Sequence, residues 1–330
     1  MHKKNLLVTL SDENYLEGAK QVILSAHFNG GWDGDYMLLA YGIPEEKLKW
    51  FREKRIIIKK CKPIFKGKIG LFNRDSVNLT KLHIFTLEFK KWEFVLFLDA
   101  DIIIRHSLGK ILNVRRFGCV RESSFLKLKH QFICYLINDL YLNKDKNDLC
   151  NILKSNFNVN EKAFNSGVMV INTKIIDNYT FNNLKKILIK YNQIYIHSDQ
   201  STFNLFFYKK WESLPFHYNV YVTNLIYKYG IMPEKINGTI LHFIGYEKGN
   251  KPWERENPFY KEWKSNLDKA NFFDKNLIIY SKNIQLKEKL YLKLIIFKTN
   301  IKYNFVIGEI GLFLKINYPR IYYFLKDNFL

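Results

Sequence analysis

The sequence predicts an α/β fold built on a mostly parallel sheet, and three observations predict it. Short apolar runs alternate with longer amphipathic stretches through the first half of the chain, the pattern of successive strand–helix units. Of 330 residues, 47% are hydrophobic and 25% charged, which is enough apolar material for a sizeable core. The most apolar run, FVLFL, ends in two acidic residues, at the strand end where open α/β sheets bind ligands.

Taken in order, Asn5–Leu10 (NLLVTL) reads as a buried strand and Tyr15 to about Phe28 as the helix that follows it. Tyr36–Tyr41 (YMLLAY) is a second strand. Pro44 opens a helix in PEEKLKWFREK, where a proline in the first turn has no hydrogen bond to lose. Arg55–Lys60 is a third strand, Asn78 caps a helix running through Phe89, and Phe94–Leu98 is the fourth strand. The second half is less regular, with strands at Gly167–Asn172 and Thr239–Ile244 and a helix at Phe181–Gln193. After about Asn276, lysines interleave with Ile, Leu, Phe and Tyr. A boundary placed there divides a main α/β domain, 1–275, from a basic, aromatic, helical extension, 276–330.

Lys plus Arg number 52 against 31 Asp plus Glu, a formal net charge of +21. That balance favours an anionic partner, although a lysine-rich composition with solvated side chains gives the same figure. The basic residues are spread along the chain and no nucleic-acid-binding motif occurs, so nucleic acid is not the expected partner. Phosphorylated small molecules and an anionic membrane surface remain. The four cysteines, Cys61, Cys119, Cys134 and Cys150, include no C-x-x-C pair. A chain this long needs no disulfide framework, so a reducing, cytoplasmic setting is expected. The six-residue apolar run near the start is too short for a secretory signal. No stretch reaches the roughly 18 uninterrupted apolar residues of a membrane span.

The sharpest chemical feature is FVLFLDADIII, in which a strand ends in Asp99-Ala100-Asp101. Two carboxylates this close repel and are costly to desolvate, and a divalent cation removes that cost. A polar strand end with solvated aspartates looks the same. LHFIG places His242 at the end of another predicted strand, where it is either a hydrogen-bonded structural residue or the third member of a two-Asp, one-His set. An imidazole nitrogen favours Mn²⁺ over Mg²⁺, which prefers oxygen. Gly245, Lys248, Gly249 and Lys251-Pro252-Trp253 follow, as an ordinary turn or as a loop whose lysines neutralise phosphate. FNSGVMV supplies Asn165, Ser166 and Gly167 at a strand entrance, small and polar enough for close backbone approach. HSDQSTFN supplies Asp199 and Gln200 at a helix start, with Ser198 or Asp199 as N-cap or with the carboxylate and amide facing a reacting carbon.

The ordered set VTLSDENYLEGA, LTKLHIFTLEF, FLDAD, FNSGVMV, DQSTFN, LPFHYN and LHFIG…KPW covers roughly Leu6 to Trp253. It resembles glycosyltransferase family 8, the glycogenin-like enzymes and the bacterial lipopolysaccharide galactosyl- and glucosyltransferases. The resemblance implies a GT-A fold, with a Rossmann-like mixed sheet flanked by helices, and transfer of a hexose from a UDP-sugar with retention. By that likeness Asp99, Asp101 and His242 bind Mn²⁺ (or Mg²⁺) across the diphosphate, beside the backbone of Ala100. Leu10 and Tyr15 border the uracil. Arg74 and Lys81 reach the donor, Asn165, Ser166 and Gln200 contact the transferred sugar, and Asp199 positions it or stabilises its anomeric carbon. Gly245 with Lys248 or Lys251 meets the phosphates, and Asn219 lies on the acceptor side.

One departure concerns the phosphate loop. Five residues, Tyr246–Asn250, separate the glycine after HF from the KPW lysine, where the family usually has two. Lys251 is favoured as the family's lysine because Pro252-Trp253 follow it. The implied acceptor is a cell-surface glycan or glycolipid, or the chain itself at Tyr227. The basic aromatic tail is expected either to lie on the inner face of the membrane, as a peripheral anchor, or to pack on the domain or a second copy in a homodimer.

Overall fold

The computed structural model describes residues 4–65, 69–70, 76–122, 126–135, 142–245, 249–269 and 314–323. Strands β1 (Asn5–Ser11), β2 (Asp35–Tyr41), β3 (Ile57–Cys61) and β4 (Phe94–Leu98) pair in parallel, in the spatial order β3-β2-β1-β4. After β5 (Ile102–Ile104) and β6 (Phe117–Arg121), the long strand β7 (Phe164–Asn172) inserts antiparallel between β4 and β6, and β8 (Glu212–Leu214) closes the far edge parallel to β6. The sheet is therefore mostly parallel and mixed, as expected. A second sheet joins β5, β9 (Val220–Tyr221) and β10 (Ile240–His242), with β10 in the middle.

Both faces of the main sheet are covered, which is why its strands read as continuous apolar runs. Along β1 the side chains alternate between two cores. Leu7 packs with Val22 and Ile23 of helix α1 (Leu16–Phe28), while Leu6 and Val8 face Leu79, Leu82 and Phe85 on the other side. Short helix α2 (Lys49–Glu53) continues a 3-10 turn that starts at Glu45 behind Pro44. Helices α3 (Lys144–Asn156), α4 (Thr180–Tyr191) and α5 (Ser198–Phe206) lie on the second face. Helix α6 (Tyr260–Asp268) packs against α1 on the first.

Three sequence expectations change. Asn78 is not a cap: a 3-10 helix runs from Ser76 to Phe85, and the extended backbone at Thr86 ends it before a second short helix at Leu87–Lys91. Neither Ser198 nor Asp199 caps α5. His197 holds that place, and the Asp199 carboxylate is engaged by Lys81 and Ser166 instead. Cys134 and Cys150, with Cα atoms 5.8 Å apart, form a disulfide where free thiols were expected, while Cys61 and Cys119 stay free and buried.

The boundary at Asn276 and most of the extension lie outside the described residues. Within 314–323 the chain is helical on either side of Tyr318 and exposes Ile316, Tyr318, Ile321 and Tyr323, but Tyr322 is buried. Burial, and then the charge of Tyr322, push the Tyr229 phenol up to about 12. No helix among the described residues is long and apolar enough to cross a membrane.

Candidate active site and metal centre

Sheet register brings three distant segments to one point. β4 ends at Leu98, which pairs with Val168 of β7, and the Asp99 N–H donates to the Gly167 carbonyl at 2.9 Å. The chain turns through Asp99-Ala100-Asp101 into β5, where Ile102 pairs with His242 of β10. The Phe243 N–H then donates to the Asp101 carbonyl at 3.0 Å. His242 Nε2 consequently lies 3.2 Å from Asp101 Oδ1 and 3.9 Å from Asp99 Oδ2.

The two carboxylates and the imidazole offer ligand atoms that all lie within 4.8 Å of one another. Their fit to a cation rests on the donor set. Two hard oxygens and one nitrogen converge, and the ring's other nitrogen, Nδ1, is held 2.8 Å from Asn219 Oδ1, the outer hydrogen bond that metal-binding histidines characteristically make. Gly167 keeps the space open. A Cβ there would sit 2.3 Å from His242 Cε1 and 2.9 Å from both Asp99 Oδ2 and Asn165 Oδ1.

Two buried lysines balance the acids. Lys81, on the 3-10 helix Ser76–Phe85, lies 2.8 Å from Asp99 Oδ1 and 2.8 Å from Asp199 Oδ2. Burial alone would lower its pKa, but Asp199 and Asp99 outweigh that and raise it. Lys251 Nζ lies 2.5 Å from Asp101 Oδ2 and 2.9 Å from the Phe243 carbonyl. The acids consequently diverge. Burial pushes the Asp99 carboxyl up despite Lys81. For Asp101 burial is overcome by Lys251 and His242, which hold its carboxyl far below the usual range. For Asp199 burial is overcome by Lys81 and by the Ser166 hydroxyl, which donates to Oδ2 at 2.7 Å.

Beyond Asp199, buried amides form a connected group. Gln200 Oε1 accepts from Asn165 Nδ2 at 2.9 Å and from the Ser166 N–H at 3.2 Å, while Gln200 Nε2 donates to Glu122 Oε2 at 2.8 Å and Gln131 Oε1 at 3.2 Å. Asn219, expected on the acceptor side, is fully buried between Asn165 and His242. Glu122 and Gln131 were missed by sequence reasoning. Glu122 follows β6, a five-residue strand, and the only signal was an apolar FGCV run giving way to charge.

Burial pushes the Glu122 carboxyl from its ordinary 4.5 up to about 7, against the pull of the Gln200 N–H and His242. A raised carboxyl pKa means that ionisation penalises the fold. The penalty is absent below the ordinary value, grows as pH rises through the interval up to about 7, and is complete above it. Glu122→Gln, neutral and still able to accept from Gln200, is therefore expected to be more stable than the parent at alkaline pH by on the order of 3 kcal/mol. That advantage should vanish near the ordinary carboxyl value. Urea unfolding of both proteins across this range checks it, and a constant difference would refute it.

Of the residues expected at the uracil, Leu10 lies buried one residue before the end of β1, and the Tyr15 ring meets Trp253 edge-on at 5.2 Å between centroids. Asp12, at the turn between β1 and α1, accepts from the N–H groups of Asn14 and Tyr15 and so fixes that corner. Ala100 turns its carbonyl toward Gly18, where a Cβ would be only 2.6 Å away. Gly245 adopts φ 124°, a backbone that favours glycine, against the Asn250 amide. Arg74 and Lys248 lie outside the described residues.

Comparison with known proteins agrees with this architecture. No curated protein matches the chain by sequence. The structure resembles the bifunctional glycosyltransferase WbbM, with a TM-score of 0.57 at 19% identity over 81% of this chain, which spans 50% of that protein's length. It resembles galactosyltransferase LgtC, solved with donor and acceptor sugar analogues, with a TM-score of 0.58 at 17% identity over 80% of this chain and 95% of that one. GlyE of Streptococcus pneumoniae TIGR4 gives a TM-score of 0.51 at 18% identity, over 82% of this chain and 63% of that one. At these identities the likeness carries the fold, which is GT-A. The sequence profile described as Glycosyl transferase family 8 spans residues 6–257, from β1 through the metal-ligand strands to the turn before α6, and so the chain belongs to glycosyltransferase family 8.

Proposed function

We propose that the protein transfers a hexose, glucose or galactose, from a UDP-sugar to a hydroxyl of a cell-surface glycan or glycolipid, with retention of configuration. The observation that carries this reading is the convergence of Asp99, Asp101 and His242 beside the Lys81–Asp199 pair at the carboxyl end of the sheet. A bound divalent cation, Mn²⁺ by its mixed oxygen and nitrogen donors, supplies charge neutralisation at the diphosphate. Lys251 and Lys81 add fixed positive charge where the UDP leaving group gains negative charge. Asn165, Ser166 and Gln200 form the wall against the transferred sugar.

Two routes give retention: a covalent glycosyl-enzyme, or attack from the face the leaving group vacates. The setting of Asp199 favours the second. Its Oδ2 is already engaged by Lys81 and Ser166, and its low pKa marks a poor nucleophile but a good partner for positive charge at the anomeric carbon. The acceptor proton then passes to the departing phosphate oxygen, and no side chain need carry it.

Tyr227 favours a second acceptor reading. Its side chain is exposed, and its hydroxyl would be 3.9 Å from a Cβ placed at Gly249, on the loop that carries Lys251. Self-glycosylation there predicts a one-hexose rise in intact mass with donor and cation, absent in Tyr227→Phe. The exposed Ile316, Tyr318, Ile321 and Tyr323 beside exposed Lys315 and Arg320 support peripheral contact with an anionic membrane.

The decisive assay is UDP release from a panel of UDP-sugars with Mn²⁺, Mg²⁺ or chelator. Release from a UDP-hexose that requires a divalent cation is expected. No release from any donor with any cation would overturn the activity.

A further inference from the structure

A buried chain of side-chain amides connects Glu122 to His242, and its polarity can be read without seeing a hydrogen. Backbone N–H groups only donate, so they label the atoms they meet. The Ser166 N–H lies 3.2 Å from Gln200 Oε1, which is therefore the carbonyl oxygen, with the amide NH₂ turned to Glu122 and Gln131. The Gly167 N–H lies 2.8 Å from Asn165 Oδ1, which is likewise an oxygen, so the Asn165 NH₂ donates to Gln200 at 2.9 Å.

Asn165 Oδ1 also meets the Asn219 amide at 2.9 Å, and an acceptor there requires the Asn219 NH₂. Only Asn219 Oδ1 is left to face His242 Nδ1, at 2.8 Å. Two facing acceptors would repel, so Nδ1 must carry the proton. His242 Nε2, pointing at Asp101 and Asp99, is then the ring nitrogen available to a cation.

We propose that Asn219 is a positioning residue that fixes His242 in its Nδ1–H form, with the polarity of the contact dictated by the Ser166 and Gly167 N–H groups through Gln200 and Asn165. The inference rests on the metal-centre reading for its purpose but not for its geometry. All four polar side chains are buried, as is Glu122 at the far end, so no solvent competes to reverse the chain. The same two N–H groups thus serve the sugar wall and the metal ligand together.

The test is ¹⁵N NMR of the full chain labelled at histidine, with His242 identified against His242→Gln and with Zn²⁺ as a diamagnetic probe. The expected spectrum has a protonated Nδ1 and a Zn²⁺-dependent shift at Nε2. A cation on Nδ1, or a bare Nδ1 with Nε2–H, would overturn the proposal without any variant at Asn219. Asn219→Leu, similar in shape but unable to accept, is expected to lose the fixed Nδ1–H and to weaken Mn²⁺ binding, read by electron paramagnetic resonance, roughly 10- to 100-fold. Asn219→Asp keeps an oxygen at Nδ1 but sets its other oxygen against Asn165 Oδ1, so it is expected to keep the Nδ1–H and to recover only part of that affinity. A folded Asn219→Leu that binds Mn²⁺ like the parent would also refute it. Parent protein that shows the Nδ1–H ring but binds no divalent cation would instead overturn the metal-centre reading alone.

Discussion

Gly167→Ala is expected to cost cation and donor binding while leaving the fold in place. The added methyl would lie 2.3 Å from His242 Cε1 and 2.9 Å from Asp99 Oδ2, against an ordinary contact limit of 3.4 Å. One of three things must then move by about 1 Å: the histidine ring, the Asp99 carboxylate or the β7 backbone. None is free. The ring is pinned by Asn219 and by the pairing of His242 with Ile102, the carboxylate by Lys81, and β7 is buried along its whole length between β4 and β6. Conformational strain is not the issue, because the glycines that need a left-handed backbone are others, among them Gly245 and Gly249. Overpacking of this kind destabilises by about 1–3 kcal/mol. A displacement near 1 Å at reacting groups costs on the order of a hundredfold in turnover. Mn²⁺ titration and donor-dependent UDP release check the outcome, with thermal melting as the control. An alanine variant that binds Mn²⁺ as the parent does would show that the three ligands do not share one cation.

The clash explains why part of the site could be read from sequence and part could not. Asp99, Asp101 and His242 were legible because each sits at the end of an apolar run, and such runs mark strands whose ends gather at one edge of a sheet. β1, β2 and β4 were legible for the same reason, being buried on both faces, and β3, a partly exposed edge strand, by its Ile run. The amide chain was not legible. Asn165, Asn219 and Gln200 come from three segments, and their order of donors and acceptors depends on register between β7, α5 and the turn before β9. The three-residue strands β5, β8 and β10 carry too few positions for a period to show. Glu122 was hidden behind β6, which Gly118 and Cys119 make look unlike a strand. The N-cap signal at Asp199 was overridden because Lys81 and Ser166 claim its carboxylate, and Asn78 lies inside the 3-10 helix Ser76–Phe85 rather than at its start.

Lys81→Met should have the largest effect on stability. Lys81 is 3% exposed and lies 2.8 Å from carboxylates on two different elements, Asp99 on β4's turn and Asp199 on α5. Methionine keeps an apolar stem and removes the charge, together with the ammonium's contact 5.1 Å from the Phe97 ring centroid. Two buried carboxylates then lack their shared counter-charge, and breaking a buried pair in this way costs about 3–5 kcal/mol. The pH dependence separates lost charge from lost packing. In the parent, Asp199 has a lowered pKa, so its contribution is present above the ordinary carboxyl value and fades as pH falls through the lowered one. In the variant the chief lowering influence is gone and burial raises that pKa instead. Its penalty is full at neutral pH and fades on acidification as the carboxyl takes up a proton. The gap between the two proteins should therefore narrow as pH falls from neutral toward the ordinary carboxyl value. Asp199→Asn added to Lys81→Met should recover part of the loss at neutral pH, a coupling that a double-mutant cycle measures. Equal losses at every pH would mean that the ammonium acts only as packing. The narrowing gap would instead identify Lys81 as the internal cation that lets an acid-rich pocket fold in advance of its metal and its diphosphate.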